Sequence, residues 1–304
     1  MANTWRGIFT ILLTPFDSDR ALDTDSLRRE VDFVIAAGAH GIVTPVNTSE
    51  FFVLSDDERR TLAETVIDQA GGRVPVVIGV AASNAATAEK LAAHAAEQGA
   101  AGVIAMPPFV VRQDARGVED YYTRIARAAN GLPVVLQNVG GEVGSAMTPS
   151  RVLELAERVA EIRYVKEETI PSPHAISELL RRGTSELDGV FGGSGGRYLV
   201  DELKRGACGL MSGCHLVDAQ VRVYDALQAG DEETARLAFY RQLPAQTLWS
   251  LLGLGLAKEI LRRRGIFATT ECRRSVVPLD AHDMEELDRA MTLVQPDLVN
   301  AVAA

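Results

Sequence analysis

Apolar positions along this chain come in two alternating textures. Short continuous runs, such as Gly7-Ile8-Phe9-Thr10-Ile11-Leu12-Leu13 and Gly41-Ile42-Val43-Thr44, read as strands buried on both faces. Between them lie stretches in which apolar residues recur at helical spacing. Leu27, Val31, Phe33, Val34 and Ile35 mark the first, a helix expected from about Asp25 to Ala37 and closed by Gly38. Ser55-Asp56-Asp57-Glu58 has capping-box spacing and opens the second helix. The alternation continues with strand Val74–Val80, helix Asn84–Gln98, strand Gly102–Met106, helix Gly117–Asn130 and strand Pro133–Asn138. Thr148-Pro149, an N-cap followed by Pro in the first turn, opens a helix to Ala160. Strand Ile162–Val165 runs into Lys166. Helix Pro173–Arg182, strand Leu187–Gly192, helix Tyr198–Arg205 and strand Ala207–Ser212 complete the series.

Repeated strand-then-helix steps at roughly 20–35-residue spacing are the signature of parallel βαβ units. Eight of them predict an α/β chain closed into a (β/α)8 TIM barrel. No GxGxxG follows the first strand, which weakens a dinucleotide-binding sheet. Beyond the eighth strand the pattern is helical throughout, over Val217–Gln228, Glu232–Leu252, Leu256–Arg264 and Ala281–Val294. The last three exceed what a barrel needs. The expected organisation is a barrel over residues 1–227 and a C-terminal helical extension over 228–304, packed on the barrel or on a neighbouring subunit.

Composition narrows the chemistry. A length of 304 residues suits one large α/β domain, and a formal net charge of −10 argues against nucleic acid or an anionic membrane as the main partner. Met1-Ala2-Asn3-Thr4-Trp5-Arg6 lacks a signal-peptide pattern, and no uncharged apolar run is long enough to span a bilayer, so a cytoplasmic location is expected. The cysteines are Cys208, Cys214 and Cys272, an odd count without CxxC, which implies no disulfide framework. Cys214 and His215 are adjacent, but no further ligand stands at metal spacing, so neither a metal nor another cofactor is expected.

In such barrels active sites lie at the C-terminal ends of the strands. Those ends bring together Thr14, the segment Asn47-Thr48-Ser49-Glu50, Met106–Phe109, Gln137 and Asn138, Lys166 and Glu168, Gly192–Gly196, and Ser212–His215. Lys166 is the only lysine among them. Alternate strand residues share a face, so Tyr164, Lys166 and Glu168 are expected to point the same way. A desolvated, unprotonated lysine amine can attack a ketone and form a Schiff base. A surface lysine in a loop with Glu neighbours explains the same letters equally well. Glu50 reads mainly as a structural carboxylate that holds its loop through backbone hydrogen bonds. His215 reads as a pocket residue or a packed one. The run Gly192-Gly193-Ser194-Gly195-Gly196 is suited to cradling an anion or to passing close to substrate. Arg262-Arg263-Arg264 reads as a solvated helix end.

These motifs, in this order, resemble the class I aldolase-like family of dihydrodipicolinate synthase and N-acetylneuraminate lyase, over nearly the whole chain. The family's strand-two motif Gly-Thr-Thr-Gly-Glu is matched by Val46-Asn47-Thr48-Ser49-Glu50, which would place its carboxylate-binding role on Thr48 and Ser49, beside Asn47. Val165-Lys166-Glu167 matches the Schiff-base lysine segment, and Gly209-Leu210-Met211-Ser212 the eighth strand, with Met211 against the substrate. The resemblance implies a homo-oligomer, dimer or tetramer, acting on a small 2-keto acid.

The departures from the family pattern carry equal weight. Its fifth strand ends in a proton-relaying tyrosine within Tyr-Asn-Val-Pro, whereas here Gln137-Asn138-Val139-Gly140 stands there, and an amide is not an acid or base near neutral pH. The fourth-strand Pro-Tyr-Tyr is Pro108-Phe109-Val110. The arginine that grips the aldehyde in dihydrodipicolinate synthase would fall at Glu142. In exchange, the position two after the lysine, usually Ala, is Glu168. A fifth strand without tyrosine together with Lys-x-Glu resembles the L-2-keto-3-deoxyarabonate dehydratase branch, as does Asn47-Thr48-Ser49-Glu50-Phe51-Phe52-Val53-Leu54. That branch has an acidic pair after its seventh strand where this chain has Ser194-Gly195. The resemblance implies a Schiff-base lyase built on Lys166, and the expected reaction is dehydration of a 2-keto-3-deoxy sugar acid, with Glu168 read as its acid or base and Gln137 as an amide that orients a hydroxyl or water. Asn47, Thr48, Ser49, Met211, Ser194 and His215 would bind substrate. A pyruvate-dependent aldolase, a synthase-type condensation, a cyclic imino acid deaminase and a non-catalytic keto-acid binder stay open.

Overall fold

The computed structural model describes residues 4–140, 146–183 and 187–299. Eight parallel strands close into a barrel in chain order. They are β1 (Gly7–Ile11), β2 (Gly41–Thr44), β3 (Val76–Gly79), β4 (Gly102–Ala105), β5 (Val134–Asn138), β6 (Ile162–Glu167), β7 (Gly189–Gly192) and β8 (Gly209–Leu210). Helices α1 (Thr24–Ala36), α2 (Asp56–Ala70), α3 (Ala85–Glu97), α4 (Ala115–Ala128), α5 (Pro149–Arg158), α6 (Ser172–Arg182), α7 (Leu199–Lys204) and α8 (Val217–Gln228) follow the strands in turn. The chain then continues through α9 (Glu232–Leu252), α10 (Leu254–Arg263) and α11 (Ala281–Val294).

Local signals place several boundaries directly. Ser55 accepts from Glu58 N–H while Glu58 reaches back to Ser55 N–H, closing the predicted capping box of α2. Thr148 caps α5 with Pro149 in the first turn. The strands β3, β7 and β8 are shorter than their apolar runs. At β8 the ladder narrows to Gly7↔Gly209 and Ile8↔Leu210, after which Ser212 C=O accepts from Ile11 N–H and the chain turns away at Gly213.

Two apolar layers form, one on each side of the barrel wall. Inside lie Phe9, Val43, Val77, Ile104, Val135, Tyr164, Phe191 and Met211. At the N-terminal mouth Trp5 stacks on Tyr164 with ring centroids 4.8 Å apart and donates its backbone N–H to the Tyr164 hydroxyl at 2.9 Å. Outside, the apolar stripes of α1–α8 cover the strands in one continuous layer. Trp5 thus plugs the barrel interior at its N-terminal end, outside which lies a cavity of about 660 Å³ lined by Trp5, Pro133, Arg163 and Asp188, and active sites of such barrels lie at the opposite, C-terminal end.

The C-terminal segment is tied to the barrel by ion pairs of differing burial. Lys258 of α10 meets Glu50 at 2.7 Å with both side chains fully buried. Arg264 pairs with the buried Asp218 of α8 at 2.5 Å. Arg273 grips Glu58 through two nitrogens, at 2.8 and 2.6 Å, which holds that carboxyl down at about 2. Among the described residues no helix is long and apolar enough to cross a membrane, and no His/Cys/Asp/Glu group has metal-site geometry.

Candidate active site

The barrel register sets the centre of the C-terminal end. Gln137 of β5 lies opposite Lys166 of β6, and Asn138 opposite Glu167. Alternation therefore sends Gln137 and Lys166 inward and Asn138 and Glu167 into the wall. Glu168 stands just past the end of β6, where its backbone N–H still bonds to Asn138 C=O at 2.9 Å. That keeps its side chain on the Lys166 face. The Lys166 Nζ to Glu168 Oε2 distance is 2.9 Å, with the two side chains 4% and 14% exposed. Gln137 Nε2 donates to the same Glu168 oxygen at 2.7 Å, and Ser194 N–H donates to the other at 3.1 Å. Gly193 makes this seat possible, because a Cβ there would fall 2.5 Å from Glu168 Cγ. The ammonium, carboxylate and amide thus form one oriented group, of which Glu168 is the most exposed member.

Glu167 occupies a different environment. It is fully buried, accepting from Asn138 Nδ2 and Thr169 N–H, each at 2.8 Å, and from the Thr169 hydroxyl. Burial raises its proton affinity, and the hydrogen bonds from Thr169 and Asn138 offset part of that. Asn138 in turn clamps Met147 through its side-chain amide. This pair joins β5 to β6 behind the site.

The loop after β2 needs one correction. Ser49 is fully buried, its hydroxyl donates to Leu12 C=O at 2.5 Å, and its own carbonyl accepts from Thr14 Oγ1 at 2.5 Å. The Ser49 hydroxyl ties the loop to β1 and is not turned to a ligand, because the short helical turn Asn47–Ser49 rotates it beneath the loop. Asn47 and Thr48 are the partly exposed members of the motif, and Asn47 Oδ1 is without a hydrogen-bond partner among the described residues. Glu50 acts as the structural carboxylate expected. It accepts from the backbone N–H of Arg273 and of Arg274, both at 3.0 Å, and takes Lys258 as counter-ion. Lys258 had no sequence signal, since its partner lies 208 residues away.

His215 also departs from the pocket reading. It is fully buried, its ring packs edge-on to Trp249 with centroids 4.4 Å apart, and burial pulls its pKa down to about 3. It stands behind the site as a neutral packed ring. Met211 belongs to the inner apolar layer and contributes an apolar floor. Ser194 is at the site through its backbone N–H, while its carbonyl accepts from Arg197 Nε at 3.0 Å. Beyond that turn lies a cavity of about 160 Å³ lined by Ser194, Gly195, Arg197, Gln246, Trp249 and Ser250. Glu142 lies outside the described residues. The tyrosines of α4 do not replace the missing relay, since Tyr122 donates to Ala105 C=O and Tyr121 meets the backbone of Ala82, both buried behind the strands.

Comparison with known proteins agrees with this fold. A model of the dihydrodipicolinate synthetase family matches residues 4–294. The L-2-keto-3-deoxyarabonate dehydratase of Azospirillum brasilense is 29% identical over 286 residues, covering 93% of this chain and 92% of that protein. The 4-hydroxy-tetrahydrodipicolinate synthase of Methanospirillum hungatei is 33% identical over 244 residues, covering 79% and 82%. Among solved structures, YagE from E. coli K12, described as a prophage protein of the dihydrodipicolinic acid synthase family in complex with pyruvate, superposes with a TM-score of 0.89 at 26% identity. The superposition covers 96% of this chain and 99% of that one. Dihydrodipicolinate synthase from Rhodopseudomonas palustris superposes with a TM-score of 0.88 at 28% identity, covering 95% and 98%.

Proposed function

Because the chain belongs to the dihydrodipicolinate synthetase family, a family of lyases, we propose that it is a Schiff-base dehydratase of a 2-keto-3-deoxy sugar acid. The observation that carries this reading is the Lys166–Glu168–Gln137 group: a nucleophile with a carboxylate 2.9 Å away, where the family's tyrosine has given way to an amide. The similarity to L-2-keto-3-deoxyarabonate dehydratase over most of both chains supports it.

The steps balance on these residues. Glu168 takes a proton from the Lys166 ammonium, and the free amine adds to the C2 ketone. Glu168 returns that proton as the carbinolamine loses water, leaving a protonated imine. The imine acidifies C3–H, and Glu168 accepts that proton as the enamine forms. The enamine electrons then expel the C4 hydroxyl, which leaves as water on taking the proton from Glu168. Hydrolysis of the conjugated imine frees Lys166. Gln137 holds Glu168 in position and carries no proton itself. Asn47 and Thr48 receive the substrate carboxylate in the loop that Ser49 fastens, and Met211 closes the apolar floor.

A pyruvate-dependent aldolase is the second reading, favoured by the pyruvate held in the E. coli neighbour. Borohydride reduction with a panel of 2-keto acids, joined to turnover assays, separates the possibilities. The expected result is an adduct on Lys166 and water loss from a 2-keto-3-deoxy sugar acid, with negligible condensation of pyruvate and aspartate semialdehyde. Efficient condensation of that pair overturns the dehydratase reading. Trapping without any turnover makes the protein a keto-acid binder.

A further inference from the structure

The end of β7 passes between two carboxylates. Gly193 makes room for Glu168 on the pocket side. Its neighbour Gly192 makes room for Glu202 of α7 on the outer side, where an added Cβ would fall 1.9 Å from Glu202 Oε2. Glu202 is fully buried. One of its oxygens accepts from Ser172 Oγ, at the start of α6, at 2.6 Å. The other has no hydrogen-bond partner among the described residues. Packing alone does not call for this arrangement. A buried carboxylate with an unsatisfied oxygen is costly, and a Leu or Met at the same place in α7 would cost nothing of the kind.

We propose that Glu202 is a positioning residue for proton transfer at Glu168: the two carboxylates, seated on consecutive glycines of one backbone segment, are coupled across it, the charge on one acting on the other. An ionised Glu202 places a second negative charge behind Glu168 and strengthens it as a base toward the C3 proton, whereas a protonated Glu202 does not; Glu202 itself exchanges no proton during the reaction. This deepens the Schiff-base reading and rests on it.

The electrostatic surroundings agree. Burial pushes Glu202 up to about 7, Ser172 draws it down, and the carboxylates of Glu168, Asp201 and Glu167 push it up in that order. From the elements around α7, β6 and its loop bring Glu167 and Glu168, α6 brings Ser172, and β7 brings the uncharged Phe191 and Gly192. Where α9 meets α7, Glu232 pairs with Lys204 at the exposed surface. Glu202 therefore changes charge near neutral pH, where a coupled pair has most effect.

The test follows single-glutamate titrations by ¹³C NMR on full-length protein labelled at the glutamate carboxyls, alongside rate profiles. In wild type, one buried glutamate should titrate near neutrality and vanish in Glu202→Gln. In Glu168→Gln its midpoint should fall by about 0.5–1 unit, because a like charge has been removed, and in Glu167→Gln by less. In Ser172→Ala it should rise, because a hydrogen bond to the anion has been lost. Turnover in wild type should show an inflection near that midpoint, and Glu202→Gln should remove the inflection and lower the alkaline plateau about 3–10-fold while keeping borohydride trapping on Lys166. An unmoved Glu202 midpoint in Glu168→Gln overturns the coupling whatever the activity. A Glu202→Gln protein that loses thermal stability but keeps the wild-type inflection assigns Glu202 to pinning α6 alone. Should Glu202→Gln fail to fold, the midpoints in the Glu168, Glu167 and Ser172 variants decide by themselves. Coupled midpoints without any trapping on Lys166 would leave the coupling standing and remove the Schiff-base reading instead.

Discussion

Among the described residues stand two buried lysine–glutamate pairs that are nearly identical as pairs and opposite in surroundings. Lys258 and Glu50 stand 2.7 Å apart, both fully buried, and Lys166 and Glu168 stand 2.9 Å apart, with Glu168 slightly open. Around the first pair the polar capacity is spent. Lys258 also donates to Glu271 C=O at 2.6 Å, and Glu50 also accepts two backbone N–H groups. Around the second the carboxylate is held from three sides, but Glu168 is the only ion-pair partner of Lys166 among the described residues. A buried ion pair is therefore not itself a mark of chemistry. The lysine with remaining hydrogen-bonding capacity and a partly exposed partner is the one that can exchange that partner for a substrate.

That contrast can be broken most severely at Lys166. Lys166→Ala should abolish both turnover and borohydride trapping, and peptide mapping of the wild-type adduct should find Lys166 and not Lys258. An adduct on Lys258 would erase the distinction. Next in size, Glu168→Gln should cut turnover about 10²–10⁴-fold while leaving trapping on Lys166 largely intact. Glu167→Gln should do much less, because its carboxylate is committed to Asn138 and Thr169 in the barrel wall. Equal losses from the two would mean that the faces of β6 are misassigned.

The sealed pair should respond in stability. Lys258→Met leaves Glu50 buried without its counter-ion, and should cost about 3–5 kcal/mol in chemical denaturation. The protein that remains folded should still trap a keto acid on Lys166. The smallest effect sharpens the same region. Glu58 lies in the partly exposed pair with Arg273, so Glu58→Gln should cost at most about 1 kcal/mol at neutral pH. Its folded pKa lies below the ordinary value of 4.5, at about 2. The contribution is therefore complete above pH 4.5 and fades as pH falls toward 2. Acid titration of stability should show that fading in wild type and not in Glu58→Gln.

Much of the frame was readable from local pattern. The capping box at Ser55, Thr148-Pro149 at α5, and helices α8, α9 and α11 are determined by neighbours within a few residues, and they stand where periodicity predicts. The alternation that puts Lys166 and Glu168 on one face is equally local. What the letters hid depends on distant partners. Ser49 turns its hydroxyl under its loop because Leu12 C=O waits there. His215 is closed off by Trp249 from α9, and β8 shrinks because only two of its residues meet the ladder of β1. Glu202 gave no signal, since an acid in an amphipathic helix ordinarily faces water, and only the missing side chain of Gly192 admits it.

The Lys258–Glu50 bond also imposes an order in time. Synthesis runs from the N-terminus, so all eight strands have been made before Lys258 exists, and before the Arg273 and Arg274 amides that complete the seat of Glu50. Until then the carboxylate belonging to the loop after β2 has none of these partners and stays with water. Ser49 can fasten the loop to β1 early, whereas its Glu50 end gains its last partners only when the C-terminal segment docks, so that a growing chain acquires its barrel before it acquires a finished mouth.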